Sequence, residues 1–237
     1  EEVTNGDFAT ASDWTAQTGW TIANGVATCD GTNLTQLYQT NVLTQNKLYK
    51  VTYSITSRTS GGVFAKLGDN ILGATNSTVG TYTEYFNFTQ ANLSFHFRSS
   101  NFVGSIDNVS VKEVGQDWTF GTDITIENEK AFFNDSAYPQ AIEQTNIATI
   151  GKQYKVSFTV SDFQSGNVKL RHPFEVSGVQ ADGDYVFYGE AASTGITLRG
   201  DGVPNNFKID NISVKEVGQH WTIDTGWTVE DGKLVSD

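Results

Sequence analysis

A segment near the middle of the chain recurs almost unchanged near its end. Ser105 to Trp118 reads SIDNVSVKEVGQDW, and Lys208 to Trp221 reads KIDNISVKEVGQHW. Asp107 and Asp210 hold the same place in the two copies, 103 residues apart. Solenoid repeats have periods of about 20 to 50 residues, so a repeat of this length is long enough to be a whole domain. The sequence therefore predicts a tandem array of domains.

Other repeated segments place the boundaries of these domains. The run YKVTYSI from Tyr49 returns as YKVSFTV from Tyr154, and a hairpin pattern near the start of each unit returns a third time from Trp227. We predict a first module over residues 1–115 and a second over residues 116–217. Residues 218–237 are predicted to be the opening hairpin of a third module whose remainder is missing.

The hydrophobic pattern of both modules is that of β-strands. Apolar and polar residues alternate along the YKVTYSI run, and Val63 and Ala65 are predicted to face the core. Asn24-Gly25 lies between two alternating runs, which is typical of a two-residue hairpin turn. No long window has a helical period. The pattern predicts an all-β chain of tandem antiparallel β-sandwich domains with eight or nine short strands each, and leaves jelly-roll and immunoglobulin-like topologies open.

Charge and composition exclude several classes of partner. Fifteen Lys and Arg against 27 Asp and Glu give a formal net charge of −12, which repels nucleic acid phosphates. No stretch approaches the about 20 apolar residues of a membrane span, so neither nucleic acid binding nor membrane insertion is expected. Cys29 is the sole cysteine and aligns with Phe133, which predicts a buried thiol and no intrachain disulfide.

The titratable residues do not form a catalytic pattern. A glycosidase needs two carboxylates about 5 to 10 Å apart, and the acids that recur between modules lie on the closing strand and the joint that follows it. His96, His172 and His220 are each replaced by another residue type in the other module, which indicates isolated, solvent-exposed histidines. We predict that the chain is not an enzyme.

The order of the motifs resembles that of a known family. Asn5-Gly6-Asp7-Phe8, then Gly-Trp-Thr-Ile before a hairpin, Tyr-Lys-Val-Thr-Tyr and a closing Ile-Asp-Asn-Val-Ser-Val-Lys-Glu are similar to jelly-roll carbohydrate-binding modules found beside xylanases and cellulases. The chain resembles more closely the copies of this module along phage tail fibres and other virion surface proteins. The resemblance implies a jelly-roll β-sandwich at the virion surface or in another extracellular setting.

The resemblance also implies a structural calcium ion between the first and last strands. Asp7 and Asp107 match its candidate ligands in the first module, and Asp210 matches the closing one in the second. Ala9 stands where the family commonly has Glu, and the second module lacks the Asn-Gly-Asp-Phe opening. The alternative is that Asp107 and Asp210 accept hydrogen bonds from backbone amides at a turn or bulge. No other cofactor is expected.

The polar face of the predicted sheets carries candidate glycan-binding residues. Sugars are recognised by aromatic ring faces and by forked donors such as Arg, and a cluster of cations on an acidic protein would attract an anionic glycan. The alternative is a solvated face that serves solubility. The candidates are Phe64, Lys66, His96 and Arg98 in the first module and Lys169, Arg171, Tyr188 and Arg199 in the second.

Three functional hypotheses follow. The first is a non-catalytic adhesion protein on a virion surface whose repeated modules bind host-surface polysaccharide. The second is a purely structural role, with the modules as spacers or decoration that contact other virion proteins. The third places them as accessory modules of a polysaccharide-degrading enzyme. Oligomerisation is compatible with each of these hypotheses, although no coiled-coil heptads are present to drive it.

Overall fold

The computed structural model describes residues 1–136, 140–176, 178–202, 204–218, 225–230 and 233–236. All regular structure within these ranges is β-strand. The chain divides into two units, Glu1–Val114 and Gly115–Asp237. Within the described part of the chain, no helix has the length and apolar character that crossing a membrane would need.

The first unit has eight strands. They are β1 (Thr15–Ala16), β2 (Trp20–Ala23), β3 (Val26–Asp30), β4 (Gln36–Gln39), β5 (Lys47–Leu67), β6 (Ile71–Leu72), β7 (Gly80–Phe88) and β8 (Phe95–Val114). All their pairings are antiparallel. At the β2–β3 turn both Asn24 and Gly25 have positive φ, 54° and 73°, as the predicted two-residue turn requires.

The strands form two layers that share β5 and β8. The back sheet has the order β2-β3-β8-β5-β7 and uses the first half of β5 and the second half of β8. The front sheet has the order β1-β4-β8-β5-β6 and uses the second half of β5 and the first half of β8. Together they form an antiparallel jelly-roll β-sandwich, which confirms the predicted fold class.

The prediction of short strands is wrong for β5 and β8, which have 21 and 20 residues. Gly61 and Asn101, with φ of 66° and 54°, lie where the two strands pass from one layer to the other. A Cβ at Gly61 would collide with the carbonyl oxygen of Asn101, so glycine permits the close approach. The Gly61-Gly62 pair, which resembles a turn signal in the sequence, therefore bends the strand without ending it.

An aromatic core joins the two layers of the first unit. Phe97 of the front sheet and Tyr53 of the back sheet are fully buried, and their ring centroids lie 4.8 Å apart in an edge-on contact. The Trp14 ring stacks on the Phe97 ring with the centroids 6.4 Å apart. It meets the Phe95 ring edge-on at 6.3 Å. Val63 and Ala65 are fully buried, as the alternation predicted, and so is Cys29.

The second unit repeats this arrangement with nine strands in its described residues. They are β9 (Thr119–Phe120), β10 (Ile124–Glu127), β11 (Lys130–Ser136), β12 (Gln140–Gln144), β13 (Gln153–Ser165), β14 (Val168–His172), β15 (Gly183–Glu190), β16 (Ile196–Gly200) and β17 (Asn205–Glu216). Its back sheet has the order β10-β11-β17-β13-β15 and its front sheet the order β14-β16-β12-β9. Its separate core includes Phe133 stacked on Phe207 at 4.6 Å.

A final hairpin follows, made of β18 (Trp227–Glu230) and β19 (Lys233–Ser236). Among the described residues these two strands hydrogen-bond only to each other. The predicted turn residues Asp231 and Gly232 lie outside the described part of the chain. The prediction that this hairpin opens a third module stays a prediction.

The repeated Asp-Asn pair of the closing motif forms a β-bulge in each module. The register of β8 against β5 shifts between Thr52 and Ser54, and that of β17 against β13 shifts at the equivalent place. Asn108 and Asn211 both have φ of 53°, in the left-handed region that asparagine tolerates better than most residues. The Asp107 Oδ1 atom accepts a hydrogen bond from the Asn108 amide at 2.6 Å. Both copies of the motif therefore build the same bulge.

This assignment predicts how the bulge responds to substitution. Asn108→Ala is expected to lower the free energy of unfolding by about 1 kcal/mol, because alanine is strained at positive φ. Asn108→Gly should change it by only a few tenths of that amount, since glycine has no Cβ. Urea unfolding of the two variants checks the difference. A glycine variant as unstable as the alanine variant would contradict the account.

Candidate binding surface

Four predicted residues of the first module lie side by side on the outer face of the front sheet. In the register of the sheet His96 of β8 is directly opposite Lys66 of β5, and Arg98 is directly opposite Phe64. Directly opposite residues of an antiparallel pair project to the same face. The four residues that the sequence predicted for the first module, Phe64, Lys66, His96 and Arg98, therefore form one contiguous cluster.

Strand β4 adds two residues to this cluster that the sequence reasoning missed. Tyr38 is opposite His96, and Gln36 is opposite Arg98. The rings of Tyr38 and His96 are 5.2 Å apart at an angle of 32°. The alternation of Leu37 with Tyr38 within β4 could have shown that the tyrosine faces outward. We call Gln36, Tyr38, Phe64, Lys66, His96 and Arg98 the front-sheet cluster.

The cluster is more buried than the sequence predicted. Lys66 is 8% exposed and His96 is 7% exposed, although both were expected on a solvated face, and His96 was expected to be solvent-exposed. Alternation gives the face of a sheet that a side chain takes, but not how closely its neighbours cover it. Here the Tyr38 ring packs on the imidazole, and Phe64 and Arg98 are half-buried beside it. The cluster is an ordered layer on the sheet.

Burial sets the charge of the cluster. Desolvation, helped by the Lys66 ammonium group, lowers the pKa of His96 to about 4, so its ring is neutral at pH 7. Burial, and next the Arg98 charge, lower the pKa of Lys66. Asp69 opposes both shifts and accepts a hydrogen bond from the Asn92 amide at 2.7 Å. Two cations and a neutral imidazole therefore share one face.

Several polar atoms of the cluster have no hydrogen-bond partner among the described residues. They are both ring nitrogens of His96 and the Nε atom of Arg98. The Lys66 ammonium donates one long bond, 3.4 Å, to the Gln36 side-chain oxygen. Buried polar atoms are normally paired, and leaving one unpaired costs about 1–3 kcal/mol. These atoms are covered by neighbouring side chains, so a ligand on this face would reach them only where those side chains move aside.

The second module holds its predicted cations on the equivalent face, but each has an anionic partner. Lys169 is directly opposite Arg199 in the sheet. The Lys169 ammonium lies 2.7 Å from a Glu175 oxygen, and Arg199 lies 2.8 Å from an Asp201 oxygen. Arg171 lies 3.3 Å from Glu175. The hydrogen bond from Lys169 lowers the pKa of the Glu175 carboxyl group.

The histidine position of the cluster is also different in the second module. Thr197 takes the place of His96 and is directly opposite Glu143. The Thr197 hydroxyl group donates to Glu143 at 3.4 Å and lies 3.0 Å from the His172 Nδ1 atom. The front sheet of this module thus pairs its cations with carboxylates and its Thr197 hydroxyl group with Glu143, whereas both ring nitrogens of His96 have no partner among the described residues.

Tyr188 does not belong to the front-sheet cluster of its module. It lies on β15, directly opposite Lys155 of β13, and both strands are in the back sheet. Lys50 lies on the back sheet of the first module in the same way. Alternation within a strand cannot tell which of the two sheets the strand joins, so the sequence placed Tyr188 with the wrong neighbours.

Each candidate calcium ligand accepts a hydrogen bond from a nearby backbone amide. The Asp7 Oδ1 atom accepts the Ala9 amide at 3.2 Å, and Asp210 Oδ1 accepts the Asn211 amide at 2.7 Å, as Asp107 does with Asn108. No group of three or more His, Cys, Asp or Glu side chains converges within the described ranges. These carboxylates therefore make the hydrogen bonds of the backbone-binding alternative, and the structural calcium ion stays a prediction.

The remaining histidines do not join a titratable cluster in the described part of the chain. His172 is exposed at the end of β14, and its Nδ1 contact is with the Thr197 hydroxyl group. His220 lies outside the described residues. The prediction that the chain is not an enzyme stays a prediction.

Comparisons with known proteins give only distant likenesses. No protein-family model and no curated protein matches the sequence. The N-terminal CBM22-1-CBM22-2 tandem domain from Paenibacillus barcinonensis Xyn10C is similar in structure, with a TM-score of 0.33, 8% identity, and coverage of 88% of this chain and 94% of that one. An anti-sigma factor domain-containing protein has a TM-score of 0.22 and 8% identity, with coverage of 77% and 81%.

Proposed function

We propose that the chain is a non-catalytic adhesion protein whose first module binds an anionic glycan through the front-sheet cluster. One observation carries the proposal: Lys66, His96 and Arg98 lie together on one face, and His96 and Arg98 keep buried nitrogen atoms without partners in the described residues. A purely solvating face would instead hold its charges in water or in ion pairs.

The chemistry of the cluster suits an acidic sugar. Arg98 offers a planar set of donors that matches a carboxylate, and Lys66 adds a second positive charge. The neutral His96 ring can donate at one nitrogen and accept at the other, which suits a pair of sugar hydroxyl groups. Tyr38 and Phe64 supply aromatic rings against which the apolar face of a sugar can pack.

The second module has a different role in this proposal. Its equivalent cations are paired with Glu175 and Asp201, so a ligand would have to replace existing ion pairs. This observation favours a structural function for the second module, as a spacer that carries the binding module. The two leading sequence hypotheses then apply to different modules of one chain.

The virion surface is our proposed location. It is supported by the resemblance of the sequence motifs to modules along phage tail fibres, and by a net charge of −12, which disfavours nucleic acid and anionic membranes as partners. The partner we propose is a polysaccharide of the host surface.

A glycan array tests the proposal with a matched pair of variants. The chain is expected to bind acidic glycans, and Arg98→Ala should weaken binding at least about tenfold, because a hydrogen bond to a charged group contributes about 1.5–3 kcal/mol. Arg199→Ala, the same change at the equivalent position of the second module, should leave binding unchanged. Circular dichroism confirms that both variants fold.

Two results would refute the proposal. One is the absence of binding to any acidic host-envelope glycan. The other is binding that Arg98→Ala and Arg199→Ala leave unaffected or weaken equally, because the front-sheet cluster would then not be the contact surface.

A further inference from the structure

Two exposed leucines border the front-sheet cluster. Leu72 of β6 is directly opposite Lys66 in the front sheet, so it takes the same outer face. Leu34 lies two residues before Gln36 of β4, and its amide donates to the carbonyl oxygen of Ser99 in β8. Each leucine is 54% exposed. The cations and rings of the cluster therefore have an exposed apolar side chain on two sides.

The backbone holds Leu72 on the outer face. Its neighbour Ile71 is opposite Leu67 and packs against the core, so alternation turns Leu72 outward. Directly after Leu72, the Gly73 amide donates to the Ala65 carbonyl oxygen at 2.8 Å. An ordered, hydrogen-bonded strand therefore exposes this side chain.

Leu34 is held in a backbone conformation that is unfavourable for leucine. Its φ is 62°, in the left-handed region, where an apolar side chain is uncommon. The Leu34 amide donates to Ser99 at 2.9 Å, and the Ser99 amide donates back to the Thr35 carbonyl oxygen at 3.0 Å. The Thr35 hydroxyl group donates to the Thr32 carbonyl oxygen at 3.0 Å. Strained residues fixed by their surroundings in this way occur preferentially at ligand-binding sites.

The described residues of the second module do not repeat this arrangement. The segment after β14 supplies Glu175, whose carboxylate lies 2.7 Å from Lys169 and 3.3 Å from Arg171. The large apolar side chains that the described part of this unit exposes lie away from its front sheet. Ile150 precedes β13, Val186 is on β15 of the back sheet, and the others belong to the final hairpin. The first module thus has a leucine beside its lysine, whereas the second has a carboxylate beside its cations.

The position of the two leucines distinguishes them from ordinary exposed apolar residues. Single apolar side chains are common on protein surfaces and need no explanation. Here two of the three large ones that the first module exposes among its described residues border the same cluster, beside the half-buried rings of Phe64 and Tyr38. Apolar side chains grouped around a few charged groups are typical of a ligand-binding surface. The arrangement indicates a ligand that carries both anionic and apolar groups.

We propose that Leu34 and Leu72 recognise O-acetyl groups of the acidic glycan, so that the ligand is a polysaccharide bearing both carboxylates and acetyl esters. The inference rests on the proposed function, because it concerns the same surface. A carboxylate suits Arg98, and the methyl group of an acetyl ester packs against a leucine. The ester carbonyl oxygen accepts a hydrogen bond from Lys66, which is directly opposite Leu72 and whose bond to Gln36 is long, 3.4 Å.

The experiment compares one polymer in two forms. The first is bacterial alginate with its O-acetyl groups, and the second is the same sample after mild alkaline deacetylation. Binding of the full chain to each immobilised form is measured by biolayer interferometry. The unmodified chain should bind the acetylated form at least about fourfold more tightly, as burial of one methyl-sized group predicts. Arg98→Ala should weaken the binding of both forms.

A double variant and a matched control test the leucines themselves. Leu34→Asn with Leu72→Thr removes both apolar side chains and suits the backbone, since asparagine tolerates positive φ and threonine favours strands. This double variant should bind the two forms with equal affinity. Val79→Thr changes a side chain that is 62% exposed and precedes β7 of the back sheet, and it should keep the preference. Circular dichroism confirms that the variants fold.

The outcomes separate this inference from the proposed function. A preference for the acetylated form that is kept by Val79→Thr and lost in the double variant supports the inference. Equal binding of both forms, weakened in both by Arg98→Ala, overturns it and leaves the proposed function standing. Binding of neither form overturns it too, and the glycan array then decides the proposed function. A preference that persists in the double variant also overturns it, and a change in sedimentation velocity would then assign the leucines to a contact between copies of the chain.

Discussion

Acidification from pH 6.5 to pH 4 is expected to remove up to about 3 kcal/mol from the stability of the first module through His96. Its pKa is lowered to about 4 in the folded chain from an ordinary value of 6.5. The unfolded chain therefore binds this proton first as the pH falls. The stabilising contribution is complete above pH 6.5, declines towards pH 4 and is absent below the folded pKa.

Urea unfolding across this pH range checks the prediction by comparison of variants. His96→Gln cannot be protonated, so it should lose less stability on acidification than the unmodified chain does. His172→Gln removes an exposed histidine and serves as the matched control, which should behave like the unmodified chain. Equal acid sensitivity of the unmodified chain and His96→Gln would show that the imidazole is not desolvated as the structure has it.

The other large effect is expected in the core of the first module. Phe97 is fully buried and contacts Trp14, Phe95 and Tyr53. Phe97→Ala should lower the free energy of unfolding by about 3–5 kcal/mol, since it removes a large buried ring and leaves a cavity between the layers. Denaturant unfolding followed by tryptophan fluorescence measures the loss.

Two controls separate the cavity from other effects. Phe97→Leu keeps most of the buried volume and should cost less than about 1.5 kcal/mol. Phe64→Ala, on the outer face of the paired strand, should cost less than half as much as Phe97→Ala because Phe64 is only half-buried. A loss for Phe64→Ala as large as that for Phe97→Ala would contradict the assignment of the two faces.

The sequence was sufficient for the elements whose signal is local. Alternation placed Val63 and Ala65 in the core, and the Asn24-Gly25 turn follows from the need for positive φ at both residues. Alternation also placed Lys66 and Arg98 on the outward side of their own strands. These predictions depend only on neighbours within one strand or one turn, so no long-range information was needed.

The rest depends on which strands become neighbours. Tyr188 was grouped with Arg199 because both alternate outward, but the two residues lie on different sheets. The burial of His96 depends on Tyr38, which comes from a strand more than fifty residues earlier in the chain. The pairing of Arg199 with Asp201 requires the turn after β16 to bring a carboxylate back to the guanidinium group. None of these contacts has a local sequence pattern.

The central claim is that the front-sheet cluster of the first module contacts an anionic glycan. The most direct test is a two-dimensional NMR titration of the isotope-labelled chain with the acidic glycan that binds most strongly on the array. The account predicts shifts of the His96 and Tyr38 ring signals and of the Arg98 side-chain signal, while Thr197 and Arg199 stay in place. Saturable binding that leaves His96, Tyr38 and Arg98 unchanged would contradict it.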